Sequence, residues 1–578
     1  MTVCRADRGS AKALCLLAAG LFATSALVGA AHAQGPLTSF DPDTMEMAEP
    51  AAPDRGARVE VQVLKALSAE SVGVLDQSHG GFANTMWVGT PAPVARKLIP
   101  LLPSSSTSTV VRDLERRLLL TAATAPDGAV ESDRPSLVEL RAERLSAMGD
   151  GDGVVALANA APQAVAGPLL QRARLDAMLL AGNTQGACAD AQRLGSEGSL
   201  AKLQILCNFI AGKTLEGNLA LDLMRERKDA DHAFIAAAET VSGLPPLPAD
   251  KVKLAEATPV HVAAFAAAKM PLPADAVANA APAVARAVAL SFATPFDVRL
   301  AAGERAMAAG VLPPEALRKL YLEAVFAPDE LSAPLVRAET AGIRGQALLF
   351  RAATDQPDPL IRAHFVAKAL ELASAKGQTT AAARVFSGLL AQAVPSPALT
   401  TVAPSFARAT LALGLAEPAA AWLDLAKSDP AAAKAVERLW PLAAVHAVGP
   451  GQALPVINLA AWRATLDGLP PEIAARRTAV VLGTLSALGA KVPETAWLDA
   501  LPVPAGGTKP ALFALLQGAA LEAKLGSTVL AALTAMGDQP LDKLDPTTLS
   551  EAISALSVVG LGGDARKLAI EAMLANGV

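Results

Sequence analysis

The chain has 578 residues, 52% of them hydrophobic but only 3% aromatic, with a net charge of −5. That length exceeds what one hydrophobic core serves, so several domains or an elongated array must carry it. The mild acidity comes with no basic cluster, which argues against nucleic acid as a partner.

The N-terminus reads as a secretory signal peptide. Arg5, Arg8 and Lys12 form a basic start, an apolar run follows to about Ala30, and Ala31-His32-Ala33 supplies the small residues of a cleavage site. Cleavage is expected after Ala33, placing the mature protein in the periplasm or beyond. Cys15 follows Leu14 rather than a small residue, so lipidation is not expected. Losing Arg5, Arg8, Lys12 and Asp7 with the leader takes the net charge from −5 to −7. No later segment holds 18 uncharged apolar residues, so no second span is expected.

Residues 34–57 carry Pro36, Pro42, Pro50 and Pro53 with acidic residues between them, the composition of a disordered linker. Residues 58–135 are an irregular N-terminal region. Val59–Val63 alternates, His79-Gly80-Gly81-Phe82 reads as a loop before Trp87, and an amphipathic helix is predicted from Arg112 to about Thr124. Arg112, Arg116 and Arg117 take its polar positions, and Leu114 and Leu118–Leu120 its apolar ones.

Helical hairpins are predicted over 136–240, punctuated by Gly149, Gly182 and Gly212. Two cysteines remain in the mature chain. Cys188 lies ten residues before Gly198 and Cys207 nine after it, so an antiparallel helix pair brings them to equal height. A disulfide is expected, as suits an exported protein. Residues 241–300, with Pro245, Pro246, Pro248, Pro271 and Pro273, read as a proline-rich helical joint between two solenoid segments.

The C-terminal solenoid, 301–578, carries the clearest signal. Gly377, Gly414, Gly451, Gly489, Gly526 and Gly562 fall on a near-constant beat. Ala412-Leu413-Gly414, Pro418 and Ala421-Trp422-Leu423-Asp424 recur two beats later as Ala487-Leu488-Gly489, Pro493 and Ala496-Trp497-Leu498-Asp499. A sustained period of this kind marks a repeat array. Each glycine is read as the left-handed residue ending one helix, with a second helix following. The large residue eight positions after most of these glycines (Val385, Trp422, Leu459, Trp497, Ile570) is expected to plug the next unit; Thr534 departs from the rule. The fold class is therefore all-α: an α-solenoid of antiparallel hairpins with a repeat of about 30–38 residues.

These units resemble tetratricopeptide-like repeats, although none shows the full Trp-Leu-Gly-Tyr-Ala-Phe-Pro consensus. Three further phrases are similar to secreted helical-repeat proteins of alanine-rich proteobacteria: Gly81-Phe82 with Met86-Trp87, Val111–Leu120, and Leu140-Arg141-Ala142-Glu143-Arg144-Leu145. Both resemblances imply a scaffold or adaptor and carry no catalytic residues.

Site motifs are weak. Gly212-Lys213-Thr214 has the tail of a P-loop, but Cys207 stands where its first glycine belongs. Ser199-Leu200-Ala201-Lys202 matches Ser-x-x-Lys without its partner motifs, and Ser199 as a helix cap explains it. The histidines are scattered, and Gly149-Asp150-Gly151-Asp152-Gly153 lacks the closing ligands of a calcium loop. No catalytic residue, cofactor or metal is expected. Trp87, Trp440 and Trp462 are the candidates for a binding surface, while Trp422 and Trp497 read as core plugs. The function expected is a noncatalytic exported scaffold binding an envelope protein or peptide. The alternative is a protein acting on cell wall or polysaccharide, which would need paired carboxylates in a cleft.

Overall fold

Helices form where the chain supplies both a start signal and an apolar face. Ser108 caps Thr109–Leu120 through the Val111 amide, Asp150 caps Gly151–Ala160 through that of Gly153, and proline occupies the first turn of many others, as at Pro282–Leu290 and Pro546–Val558. The structure is a computed structural model that describes residues 68–163, 166–194, 200–226, 231–248, 251–501 and 509–578. The leader, the 34–57 segment and Val59–Val63 lie outside the described residues. The described residues belong to one compact unit. It is all-helical, with no strand among the described residues beyond three isolated bridges.

Consecutive helices pack as hairpins: Pro282–Leu290 on Phe296–Ala308, Gly345–Asp355 on Pro359–Ala375, Ala403–Ala412 on Ala416–Lys427, and Pro546–Val558 on Gly562–Ala575. Gly377, Gly414, Gly451 and Gly489 all hold the left-handed conformation, with φ from 70° to 95°. Gly526 and Gly562 do not. Each opens a helix instead, and the left-handed turns fall at Ala523 and Gly560, with φ of 53° and 86°. Gly526 is needed for a different reason. A Cβ there would lie 2.5 Å from Trp87 Cε3 and 2.8 Å from the Met86 carbonyl. The plug positions Val385, Trp422, Leu459, Thr534 and Ile570 are buried. Trp497 is only half-buried, because its segment forms the 3₁₀ helix Glu494–Ala500 rather than an α-helix.

The N-terminal helices are joined to the C-terminal repeats. Ala92–Leu98 packs on Leu525–Met536, and Thr109–Leu120 packs on both Leu525–Met536 and Gly562–Ala575. Polar contacts clasp this junction. Asp538 accepts from the Ser104 and Ser105 amides at 2.7 and 2.6 Å. Glu571 accepts from the Ser108 and Thr109 hydroxyls, and Arg117 pairs with Asp564 at 2.8 Å. The Gly526 amide donates to the Met86 carbonyl at 2.9 Å.

This junction changes the reading of Thr109–Leu120. The helix ends at Leu120 rather than near Thr124. Arg112, expected on a polar face, is 7% exposed, its guanidinium donating to the Met148 carbonyl at 2.6 Å and lying beside Gly310, and Glu115 is fully buried. Arg141 explains part of the phrase Leu140–Leu145. Its buried guanidinium donates to the carbonyls of Leu119, Val72 and Thr121 at 2.6, 2.5 and 3.0 Å, stapling three segments together.

A second hydrophobic core sits around Leu175–Met270, including Leu203, Phe209, Phe234 and Phe265. Within it, Cys188 of Thr184–Leu194 and Cys207 of Ala201–Ile210 are bonded, with Cα atoms 5.5 Å apart. Helices Ala201–Ile210 and Thr214–Arg225 pack as the next pair.

Candidate functional site

The expected tryptophan surface is corrected by burial. Trp87 is 1% exposed and Trp462 is 0% exposed. Trp87 lies against Gly526 at the junction, and Trp462 sits in the core with its Nε1 unpartnered. Neither presents a face to a ligand. Trp440 is half-buried and packs on the main core. Trp422 stacks at 4.6 Å on Phe406 inside the array.

The final helix Gly562–Ala575 is a hub. Thr109–Leu120, Ala403–Ala412, Ala433–Ala447, Pro471–Ala487 and Pro546–Val558 all pack on it. Residues Leu568 through Leu574 are buried, so the C-terminal half of this helix is covered by other helices, while Gly563 and Lys567 in its first half are exposed. The faces of the repeats that meet there are occupied by the chain itself.

Among the described residues, cavities large enough for small molecules include the following three. One of about 750 Å³ lies beside the disulfide core, between Leu179, Ile210, Phe265, Met270 and Phe292. One of about 520 Å³ lies at the hub, between Ser108, Lys376, Arg384, Asp542 and Glu571. One of about 610 Å³ is lined by Leu370, Ser374, Ser405, Arg408, Leu439 and Gly577. Thr379 borders both of the last two.

The perturbed carboxyls do not assemble into reactive pairs within these cavities. Burial raises Glu115 to about 8 against the opposing pull of Arg144 and Arg112; neither of its oxygens has a hydrogen-bond partner. Glu115 lines none of the three cavities. Burial also raises Glu304, which accepts from the Tyr321 hydroxyl at 3.1 Å beside a void of about 30 Å³, room for one water. Glu571 does border the hub cavity, and burial raises it too, but its oxygens are occupied by Ser108, Thr109 and the Val110 amide.

One arrangement imitates a catalytic triad. His261 Nε2 lies 2.7 Å from Asp231 and its Nδ1 2.7 Å from the Thr258 hydroxyl. The Thr258 amide also donates to Nδ1, at 3.1 Å, in a capping box that starts Pro259–Ala267. Burial opposes ionisation of Asp231, but His261 and Lys202 hold it well below the usual carboxylate range. None of the three cavities includes Thr258, so the cluster acts as a helix cap cross-tied to its neighbour. Lys202 of the Ser-x-x-Lys motif is spent on Asp231, and Ser199 lies outside the described residues. Asp150 of the glycine-aspartate loop caps its helix and pairs with Arg116 at 2.8 Å. Among the described residues no group of three or more potential metal ligands exists.

Among the described residues the exposed apolar surface includes one ordered row. Leu215, Leu219 and Leu223 of Thr214–Arg225 are 84%, 65% and 60% exposed. They stand four residues apart and form one face, while Gly217, Leu221 and Met224 bury the other against the disulfide core. Sequence periodicity reports both rows as one apolar helix and does not say which row finds a partner within the chain.

No protein-family model matches the chain, and comparison with curated proteins and with solved structures finds no match. Among the described residues no helix is long and apolar enough to cross a membrane.

Proposed function

We propose that this chain is a noncatalytic, exported helical-repeat adaptor of tetratricopeptide-like kind, binding a protein or peptide of the cell envelope from the periplasm. The observation that carries this reading is the Leu215–Leu219–Leu223 row. Scattered exposed leucines are ordinary, but an ordered row on one helix face marks an interaction surface. A partner helix laying its own apolar face along that row would be read at i, i+4 and i+8. The disulfide ties Ala201–Ile210, the helix on which Thr214–Arg225 packs, to the preceding helix Thr184–Leu194, and a support anchored in this way reduces the ordering cost of binding. The signal peptide read in the sequence and the disulfide both suit an oxidising compartment.

The test is capture of the tagged, exported protein after crosslinking in cells, compared with Leu219→Asp. Position 219 is exposed, so the variant should fold, checked by its helicity and by disulfide formation. A defined envelope partner held by the wild type and lost in the variant is the expected result. Equal capture by both proteins would refute the leucine row as the binding face.

A further inference from the structure

The cavity lined by Arg408 and Gly577 has an electrostatic character that the adaptor reading does not use. Three helices that pack on the final helix each carry an arginine, one lining this cavity and two near it: Arg408 on Ala403–Ala412, Arg438 on Ala433–Ala447 and Arg477 on Pro471–Ala487, with Arg438 close enough to repel both others. Arg408 lines the cavity, with Nη1 held by the Ser374 hydroxyl at 3.1 Å. Arg438 precedes the lining residue Leu439. The Arg477 guanidinium occupies the space a Cβ on Gly577 would fill, and Gly577 is part of the same wall.

These cations have no ionic partner. Among the described residues no ion pair includes Arg408, Arg438 or Arg477. The buried Nε of Arg477 has no hydrogen-bond partner at all. Two carboxylates also stand in the lining and keep their charge, Glu371 accepting from Ser405 at 3.2 Å and Asp429 from the Ala431 amide at 2.9 Å, but neither forms an ion pair with an arginine. Burial lowers the Arg408 pKa, and both other arginines lower it further. Arg477 is lowered by burial and by Arg438. Guanidiniums at this depth normally meet carboxylates, since isolated charge is costly to bury. Adjacent Arg476 shows the contrast: its Nε donates to Asn576 at 2.9 Å and its Nη2 to the Leu544 carbonyl at 2.6 Å.

We propose that this cavity binds a small organic di- or polyanion, with carboxylate or phosphate groups held by Arg408, Arg438 and Arg477. The volume suits a small ligand. The Ser374, Thr379, Thr401 and Ser405 hydroxyls and the Leu370 and Leu439 side chains supply a mixed wall for the remainder of the molecule. Bidentate guanidinium pairing fits both acid types, so the carboxylate and phosphate sources share one chemistry. The site stands whether or not the leucine row binds a protein.

Calorimetric titration of the purified mature protein at low ionic strength, with citrate and with inorganic phosphate as probes, tests it. Sodium chloride at matched ionic strength is the control. Binding of at least one probe is expected, weakened about tenfold or more in Arg438→Gln and in Arg477→Gln, and unchanged in Arg337→Gln on an exposed helix elsewhere. Citrate without phosphate assigns a carboxylate ligand, and phosphate without citrate a phosphorylated one. Removing a repelling charge should also leave the unliganded Arg438→Gln protein at least as stable as wild type, a result that a structural role for Arg438 would reverse. Absence of binding by both probes, or equal binding by wild type and both variants, overturns the proposal.

Discussion

Glu115 offers the sharpest test of the packing described above. It lies on Thr109–Leu120 between Leu114 and Leu118, is fully buried, and has no hydrogen-bond partner for either oxygen. Burial lifts its pKa from 4.5 to about 8, despite Arg144 and Arg112 nearby. A raised folded-state pKa means that protonation favours folding. The contribution is complete below pH 4.5 and is lost as pH rises toward 8. Each unit in that window is worth about 1.4 kcal/mol, so the whole span amounts to roughly 5 kcal/mol as an upper bound. Glu115→Gln keeps the shape and cannot lose a proton. The variant should match wild type near pH 5 and exceed it by roughly 2–4 kcal/mol at pH 8. Urea unfolding followed by tryptophan fluorescence at pH 5, 6, 7 and 8 measures the difference, and Trp87 reports from the same core. Burial also raises Glu70, Asp176, Glu304 and Glu571, so both proteins should lose stability as pH rises. Those contributions cancel in the variant-minus-wild-type comparison. A difference that stays flat from pH 5 to pH 8 would refute the burial of Glu115 as a carboxyl without a partner.

Four further outcomes follow from the packing. Replacing Cys188 and Cys207 by serine should cost about 3 kcal/mol on the chain-entropy account; protease sensitivity should rise around the second core and leave the hub unchanged. Gly526→Ala should destabilise by about 2 kcal/mol or more, because its Cβ would meet Trp87 and the Met86 carbonyl. Gly518→Ala, at an exposed position of helix Pro510–Leu521 with open space around it, should instead stabilise by about 0.5–1 kcal/mol; thermal melts of the two proteins check the opposite signs. Glu571→Ala should cost about 1–3 kcal/mol by stranding the Ser108 and Thr109 hydroxyls, and hydrogen exchange should show faster opening of Thr109–Leu120.

Much of the fold is local and therefore legible in the chain. The beat of Gly377, Gly414, Gly451 and Gly489 reports a steric need at each residue itself, and the structure holds all four in the left-handed region. The disulfide is readable because equal distances from one turn determine equal height. At Gly526 and Gly562 the beat continues for another reason: the turns shift to Ala523 and Gly560, while Gly526 makes room for Trp87 from the other end of the chain. Distance along the chain hides the rest. Arg112, Glu115 and Arg141 are charges that periodicity assigns to solvent, and their burial depends on remote helices or on carbonyls several turns away. Trp87 and Trp462 are irregularly spaced and hence read as available for binding, but irregular spacing says nothing about what packs over a ring. Arg408, Arg438 and Arg477 lie on three separate helices well apart in sequence, so only folding onto a common helix makes them a group.

The adaptor reading rests on the face carrying Leu215, Leu219 and Leu223, and photocrosslinking in cells addresses that face directly. A benzophenone amino acid would replace Leu219 in one protein and the exposed Leu498, on a distant 3₁₀ helix, in another. The account predicts one discrete adduct of defined mass from position 219, absent from position 498. No adduct at 219, or the same adducts from both positions, would contradict it.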